Sequence, residues 1–502
     1  MSINFKRNYP IILLCVAVLS ILTFTLGNAR VIAYTTKTSS TATGTTTENG
    51  IDYTNDVELF DDTVVHSIQV IMADDDYDSM ITTYQETGLK EYFQADVIID
   101  GVRINAVGIR LKGNASLRTA LGAGMGFGGG NRPDNAPQPN DAKPPEGFAQ
   151  GEMPQPPENF QMPEAGQGVE RGGMRQEISA DLIKIPFMIK FDEYVDGQTY
   201  QSYSNLSIRN YGTSYDAAML QEPITNMVAQ LMDMPATDTA YTGFKFNDGE
   251  EKLYVISELV NENYLEKYFE NANGILYKAE LGSTLSYVDE DPSSYANSFT
   301  QQTRVNDADL LPLINFMRFL EQADDDTFEK ELPNYLDVDS FATYLAVNAM
   351  LVNTDSMLGM NNNYYLYYNE ETEQFTLLMW DANESFGKLG GSASYDLSLT
   401  NTQNGIGNRG GMGGGQNALL TRFMANEKFK ALYEEKIQEV YEKAFISGAM
   451  TEAIDQYSEL IRSVNDERNL VEIDAYNQAV EKMKTFISQR MDYRKTTEIF
   501  AK

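Results

Sequence analysis

The chain has 502 residues, 42% hydrophobic and 11% aromatic, with a formal charge of −35. That length exceeds one simple core, so two or more lobes are expected, with a globular rather than disordered composition. The negative charge excludes nucleic acid, whose phosphates would be repelled, and favours cationic partners or metal ions. Cys15 is the one cysteine and His66 the one histidine. With Cys15 inside the N-terminal segment, the mature chain has no disulfide, thiolate nucleophile or Cys-ligated zinc. A triad needing histidine is excluded too, and His66 is expected to be structural. Chemistry therefore falls to Asp, Glu, Lys, Asn, Ser or Tyr.

Lys6 and Arg7 precede the apolar run IILLCVAVLSILTFTLG, and Gly27 and Ala29 stand at −3 and −1 of a cleavage site. Residues 1–29 read as a secretory signal, or second as an uncleaved membrane anchor through residues 8–27. The Thr/Ser-rich stretch that follows reads as a disordered stalk reaching residue 63. Strand patterns then begin with VVHSIQVIM, and DDDYDSMITTYQ suggests a short helix. YFQADVIID and VRINAVGIRLKG form a hairpin through Asp100-Gly101. Residues 119–177 are a low-complexity insert of Gly, Pro, Gln, Glu and Met without helical or strand period. IKIPFMIKFDEY is the next strand, and Asp216 opens an amphipathic helix disturbed by Pro223. TAYTGFKFNDGEEKLYVISELV is a second hairpin. NENYLEKYF starts a helical section, residues 306–352 are largely helical, and 417–500 hold long Glu/Lys-rich helices. A Gly-rich loop covers 404–415. The pattern is α+β, with a β-rich half at 64–260 and a helical half at 261–502, and a cleft between them suits a ligand.

The most informative stretch is TDSMLGMNNNYYLYYNEETEQFTLLMWDANESFG, from Thr354 to Gly387. Asp355 sits in a polar loop, Asn361, Asn362 and Asn363 follow, and a strand pair ends on Asp381. Two carboxylates with an amide between them hold Mg²⁺ and orient a hydroxyl nucleophile. The alternative is a plain hairpin with solvated acids at its ends.

Four segments together resemble the CotH family, the spore-coat-protein-H-like atypical protein kinases. VGIRLKGNAS is similar to the family's VGxRxKGNSS. PFMIKFDEYVDGQTYQSYSNLSIRN is similar to its PFxIKFDxY segment. DAAMLQEPITNMVAQLMDMPA is similar to its helix ending in a G-x-P-A-like turn. The Thr354–Gly387 stretch is similar to its D…NYYLY…WDxDxSFG pair. The resemblance implies a two-lobed, atypical protein-kinase-like fold that uses ATP with Mg²⁺ or Mn²⁺. In that reading Lys190 reaches the phosphates and pairs with Glu222. Lys112, Asn114 and Ser116 form a phosphate-cradling turn, and Glu258 contacts adenine or ribose. Asp355 is the catalytic base. Asp381 is the principal metal ligand, helped by Asn363 (with Asn362 as the alternative), and Asn383 stands where the family has its second Asp. Trp380 is expected to pack in the core. The implied substrates are Ser- or Thr-bearing, basic spore-coat or cell-surface proteins. The competing reading is a non-catalytic scaffold or adhesin of kinase-like fold.

Overall fold

The computed structural model describes residues 44–47, 50–113, 117, 121, 185–209, 216–399, 417–494 and 498–500. The N-terminal signal or anchor, Asn114, Ser116, the 119–177 insert apart from Leu121, and the 404–415 loop lie outside these residues. The expected stalk does not extend to residue 63. Strand β1 (Gly44–Thr47) pairs with β2 (Gly50–Tyr53), which runs parallel to β7 (Thr199–Tyr200). Leu59 is buried in the next core, with its N–H donating to Gln201 Oε1 at 2.7 Å. The Thr/Ser composition ends before Ile51, and the apolar residues after it have a surface to cover.

Among the described residues, seven strands close a barrel: β3 (Val65–Ile71), β4 (Phe93–Ile99), β5 (Val102–Leu111), β6 (Phe187–Lys190), β8 (Asn205–Arg209), β9 (Thr239–Phe246) and β10 (Lys252–Ser257). Neighbouring pairs are antiparallel apart from β3 with β9, which run parallel and complete the closure. The period of two turns Ile68, Val70, Val97, Ile99, Ile109, Ile189, Leu206, Ile208 and Ile256 into one core, as alternation along a half-buried strand requires. Asp100 and Gly101 both adopt positive φ, the geometry of a tight hairpin turn. The Asp100 carboxylate accepts from Ser67 N at 2.7 Å and meets the buried His66 Nδ1 at 2.7 Å. The single histidine is thus engaged within the barrel wall.

Helix α1 (Asp74–Thr87) packs on the barrel core through its buried Met80. Helix α2 (Gln221–Leu231) begins five residues after Asp216 rather than on it. Asp216 Oδ1 instead accepts from Ala218 N and Met219 N in the preceding loop. Pro223 falls in the first helical turn, where its missing N–H costs no intrahelical bond, so it does not kink the middle.

Helix α3 (Glu262–Tyr268) leads to a second sheet of four antiparallel strands, ordered β12 (Phe299–Gln301), β11 (Ile275–Ala279), β13 (Tyr364–Asn369) and β14 (Gln374–Met379). The hairpin of β13 and β14 matches the sequence expectation. Its partners β11 and β12 do not stand out in sequence, because β12 spans only three residues and the short β11 is mostly buried, without alternation. Helices α4 (Leu311–Gln322), α5 (Asp325–Tyr335) and α6 (Val338–Met350) follow, then α7 (Ala418–Ala425), α8 (Glu427–Val440), α9 (Ala449–Arg468) and α10 (Ile473–Arg494). Every residue from Phe341 to Met350 is buried, so α6 is enclosed on all sides, as a central helix should be. It packs on α8 and β14, and the Asp337 side chain caps its start by accepting from Ser340 N at 3.0 Å. Tyr241, Leu253 and Val255 on the outer wall of the barrel join the same core as α2 and α6. No helix among the described residues is long and apolar enough to cross a membrane.

Candidate active site

Strand register decides which cations meet the two acids. In the barrel, Leu111 pairs with Phe187 and Phe187 with Ile208, whereas Lys190 pairs with Gly108 and Asn205. Lys112 N donates to Pro186 O at 2.9 Å. Lys112, Pro186 and Arg209 therefore lie in a row across one rim. Lys190 sits four residues further along, roughly 13 Å at a strand's rise. Its ammonium pairs with Glu193 at 2.9 Å and lies 3.9 Å from Asp192, more than a third exposed. Hydrogen bonding to Glu193 raises its pKa. The expected pairing of Lys190 with Glu222 is thus corrected. Both lysine candidates have the outward parity of their strands, but Lys190 points out at the wrong end.

Glu222 pairs instead with Arg209, Nε to Oε2 at 2.6 Å, both almost wholly buried. Arg209 reaches onward through Nη2 to Asp381 Oδ1. Ser257 Oγ donates to Glu222 Oε1 at 3.3 Å. Glu222 lies in the first turn of α2, where its charge also suits the helix N-terminus. That helix packs on the 3₁₀ turn Ala382–Glu384 directly after Asp381. Arg209 thereby joins helix, barrel and metal candidate. Sequence reading missed it, although the alternation in NLSIR already turns Ser207 and Arg209 away from Leu206 and Ile208.

Trp380 is buried at 7% exposure and packs edge-on to Tyr365. The Lys112 ammonium lies 4.9 Å and the Arg209 guanidinium 5.4 Å from its ring centroid, within cation–π range. The expectation of a core tryptophan holds, with two cations on its surface in addition. Burial holds the Lys112 ammonium well below the ordinary lysine range; Arg209, Lys278 and Arg110 push the same way while Glu222 opposes. Lys278 on β11 is a further cation that sequence reading passed over, 3.7 Å from Glu280.

Asp355 is held by the amides of Asn363 and Asn362, which the sequence offered as metal ligands. Asn363 Nδ2 donates to its Oδ2 at 2.9 Å and to its backbone O at 2.9 Å, and Asn362 Nδ2 donates to Oδ1 at 3.3 Å. Burial, followed by the charge of the nearly inaccessible Glu384, pushes the Asp355 carboxyl up to about 7. Asp381 and Asn363 both adopt left-handed backbone, a cost usually met at sites that aim a side chain. Trp380 N donates to Asn363 O at 3.3 Å, fastening the two segments together. Gly387 closes the turn after Asp381 at φ +70, and a Cβ there would overlap Gly391 O. Asn383 is partly exposed, with its backbone O accepting from Lys388 Nζ at 3.5 Å. Glu258 is buried at 3%. Its carboxylate accepts from Asp238 N at 3.1 Å and pairs with Lys267 at 3.6 Å. The Glu258 carboxylate is therefore engaged by an internal partner.

Among the described residues, no three His, Cys, Asp or Glu side chains gather as a metal-binding group. The oxygen donors that the sequence offers, Asp381 with the amides of Asn363 and Asn383, are of the hard kind that suits Mg²⁺ or Mn²⁺ rather than a soft ion, and Asp381 Oδ1 is paired with Arg209.

The family model described as CotH kinase protein matches residues 170–494. The inner spore coat protein H of Bacillus subtilis (strain 168) is 23% identical over 259 residues, 50% of this chain and 67% of that protein. Among solved structures, the Helicobacter pylori proinflammatory kinase CtkA aligns with 55% of this chain and 91% of its own at 13% identity, with a TM-score of 0.25. That score is too low to carry an argument. The family match spans more than half of the sequence, and the chain belongs to the CotH kinase family.

Proposed function

We propose that this chain is an exported atypical protein kinase, transferring the γ-phosphate of ATP to Ser, or Thr, of spore-coat or cell-surface proteins. The observation that carries the proposal is the placement of Lys112 and Arg209 on the Trp380 ring, with Arg209 paired to Asp381. In a chain of charge −35, the Lys112 ammonium, buried beside the Arg209 guanidinium, is disfavoured in its charged form, and an added anion relieves that cost. A triphosphate supplies that anion, and the cationic groups neutralise its oxygens. Asp381, with Asn363 and Asn383, would hold Mg²⁺, whose chemistry is to offset charge on the β- and γ-phosphates. Asp355 accepts the hydroxyl proton at its carboxylate, oriented by Asn362 and Asn363. The barrel and the α6-centred half act as the two lobes in this reading. The acidic exterior favours acceptor sites rich in Lys and Arg.

Export rests on the apolar run with its flanking Lys6 and Arg7. A spore-coat location rests on the likeness to inner spore coat protein H. The test is transfer of labelled phosphate to a basic, Ser-rich peptide by the wild type, Asp355→Ala and Asp381→Ala. Loss in both variants supports the assignment, and undiminished transfer in both discards it. Asn383, bringing no charge where the family has an acid, favours the second reading of a non-catalytic scaffold or adhesin. Such a scaffold would show no Mg²⁺-dependent thermal stabilisation by ATP.

A further inference from the structure

Helix α6 ends at Met350, five residues before Asp355, and a helix end leaves backbone carbonyls in need of donors. Here the donors come from two distant segments. Phe386 N donates to Leu351 O at 2.6 Å and Gly387 N to Val352 O at 3.2 Å. Arg490, on α10, takes the two preceding carbonyls: Nη2 donates to Ala349 O at 2.9 Å and Nε to Met350 O at 3.2 Å. Its Nη1 then donates to Ala393 O at 2.9 Å and Tyr395 O at 2.7 Å. One guanidinium fork thus fastens the segment that launches Asp355 to the segment that follows Asp381.

Resting on the kinase reading, we propose that Arg490 is a positioning residue for phosphoryl transfer, holding the Asp355 and Asp381 segments in one fixed register. Arg490 is only 2% exposed, and its hydrogen bonds among the described residues go to backbone carbonyls. Burial draws its pKa down to about 10, with Tyr433, Tyr493, Tyr395 and Asp396 facing it and pulling the other way. It stays cationic at neutral pH, in the field of a helix C-terminus. For stability alone such a residue is a poor choice, since apolar side chains of similar volume often replace buried charges without loss. The guanidinium adds two-sided geometry: its planar fork reaches both segments at once.

The experiment uses the full chain as wild type, Arg490→Lys and Arg490→Met, with steady-state kinetics and amide hydrogen exchange. In Arg490→Lys, kcat falls about tenfold while the ATP KM stays within about twofold, because misplacement taxes the transition state and not ground-state binding. The Val352, Asn353, Phe386 and Gly387 amides exchange faster together, and those of β3 to β5 do not change. Unchanged kcat in a folded variant overturns the proposal, as does faster exchange in one segment alone or in neither. Should both variants fail to fold, native-state exchange of the wild type in low urea decides. One shared opening of the four amides supports the proposal, and independent openings refute it. If the wild type transfers no phosphate, the kinase reading fails on its own, while the exchange arm still judges the coupling.

Discussion

The two ends of the β6–β8 strand pair carry similar charges to different effect. At one end Lys190 and its acids Asp192 and Glu193 are more than a quarter exposed, and an ion pair in that setting contributes about 1 kcal/mol or less. At the other end Arg209 and Glu222 are 6% and 4% exposed, with Asp381, Trp380 and Lys112 against them. Removing one member there leaves an uncompensated buried charge, which costs several-fold more than losing a surface pair. What separates the two ends is register. Lys190 and Arg209 share a positive charge and outward parity, and the pairing of Phe187 with Ile208 assigns one to each end.

Breaking the buried end at its acids should have the largest effect. Asp381→Ala and Asp355→Ala each lower phosphate transfer by about 10³-fold, the scale of removing a general base or a metal anchor; labelled-ATP assays read this directly. Next come the cations. Arg209→Met and Lys112→Met weaken Mg–ATP binding by about 10- to 100-fold, as loss of a charged hydrogen bond implies, whereas Lys190→Met stays within about twofold in calorimetric titration. Equal losses at Lys190 and Arg209 would erase the contrast between the two ends.

Acidity sharpens the contrast further. With the Asp355 carboxyl held at about 7, its basic form fills in as pH rises, so kcat climbs between about pH 6 and pH 8. The sign for stability is opposite. A carboxyl raised above its unfolded value near 3.9 favours the folded state fully below that value, and that contribution is lost as pH rises through about 7. Relative to wild type, Asp355→Ala should therefore gain in Tm between pH 5 and pH 8, and a constant difference would remove the assigned shift. The smallest expected effect is that of salt. Raising ionic strength from about 50 to 300 mM increases the KM of a basic peptide about threefold, and that of ATP less, because the exposed acids are screened first. Equal changes would remove the proposed electrostatic choice of substrate.

Much of the site is legible in sequence because its signals are local. The order of Asp355, the three asparagines, the YYLYY strand and Asp381 is local, although the sequence offers the amides as metal ligands while the folded chain bonds Asn362 and Asn363 to Asp355. The β3, β4–β5 and β9–β10 segments are equally readable, since alternation and turn residues mark them. The barrel is not, because the parallel pairing of β3 with β9 joins residues 176 positions apart and no local pattern encodes it. The partner of Glu222 is near in sequence but hidden by a different cause, the rim of the barrel to which each cation is assigned. Choosing between Lys190 and Arg209 requires the β6–β8 register, a long-range property of two short strands separated by a loop. Arg490 is further still from view, as a polar residue on an amphipathic helix whose importance lies in carbonyls about 140 residues upstream.

Trp380 is the single tryptophan of the chain, and its ring lies against Lys112 and Arg209 beside Asp381. Its emission during a titration with Mg–ATP is therefore the most direct measurement of whether this rim holds the nucleotide. The expected result is a saturable change that requires Mg²⁺, is lost in Lys112→Met, and survives in Lys190→Met. An unresponsive wild type, or a response abolished by Lys190→Met and kept in Lys112→Met, would contradict the site described here.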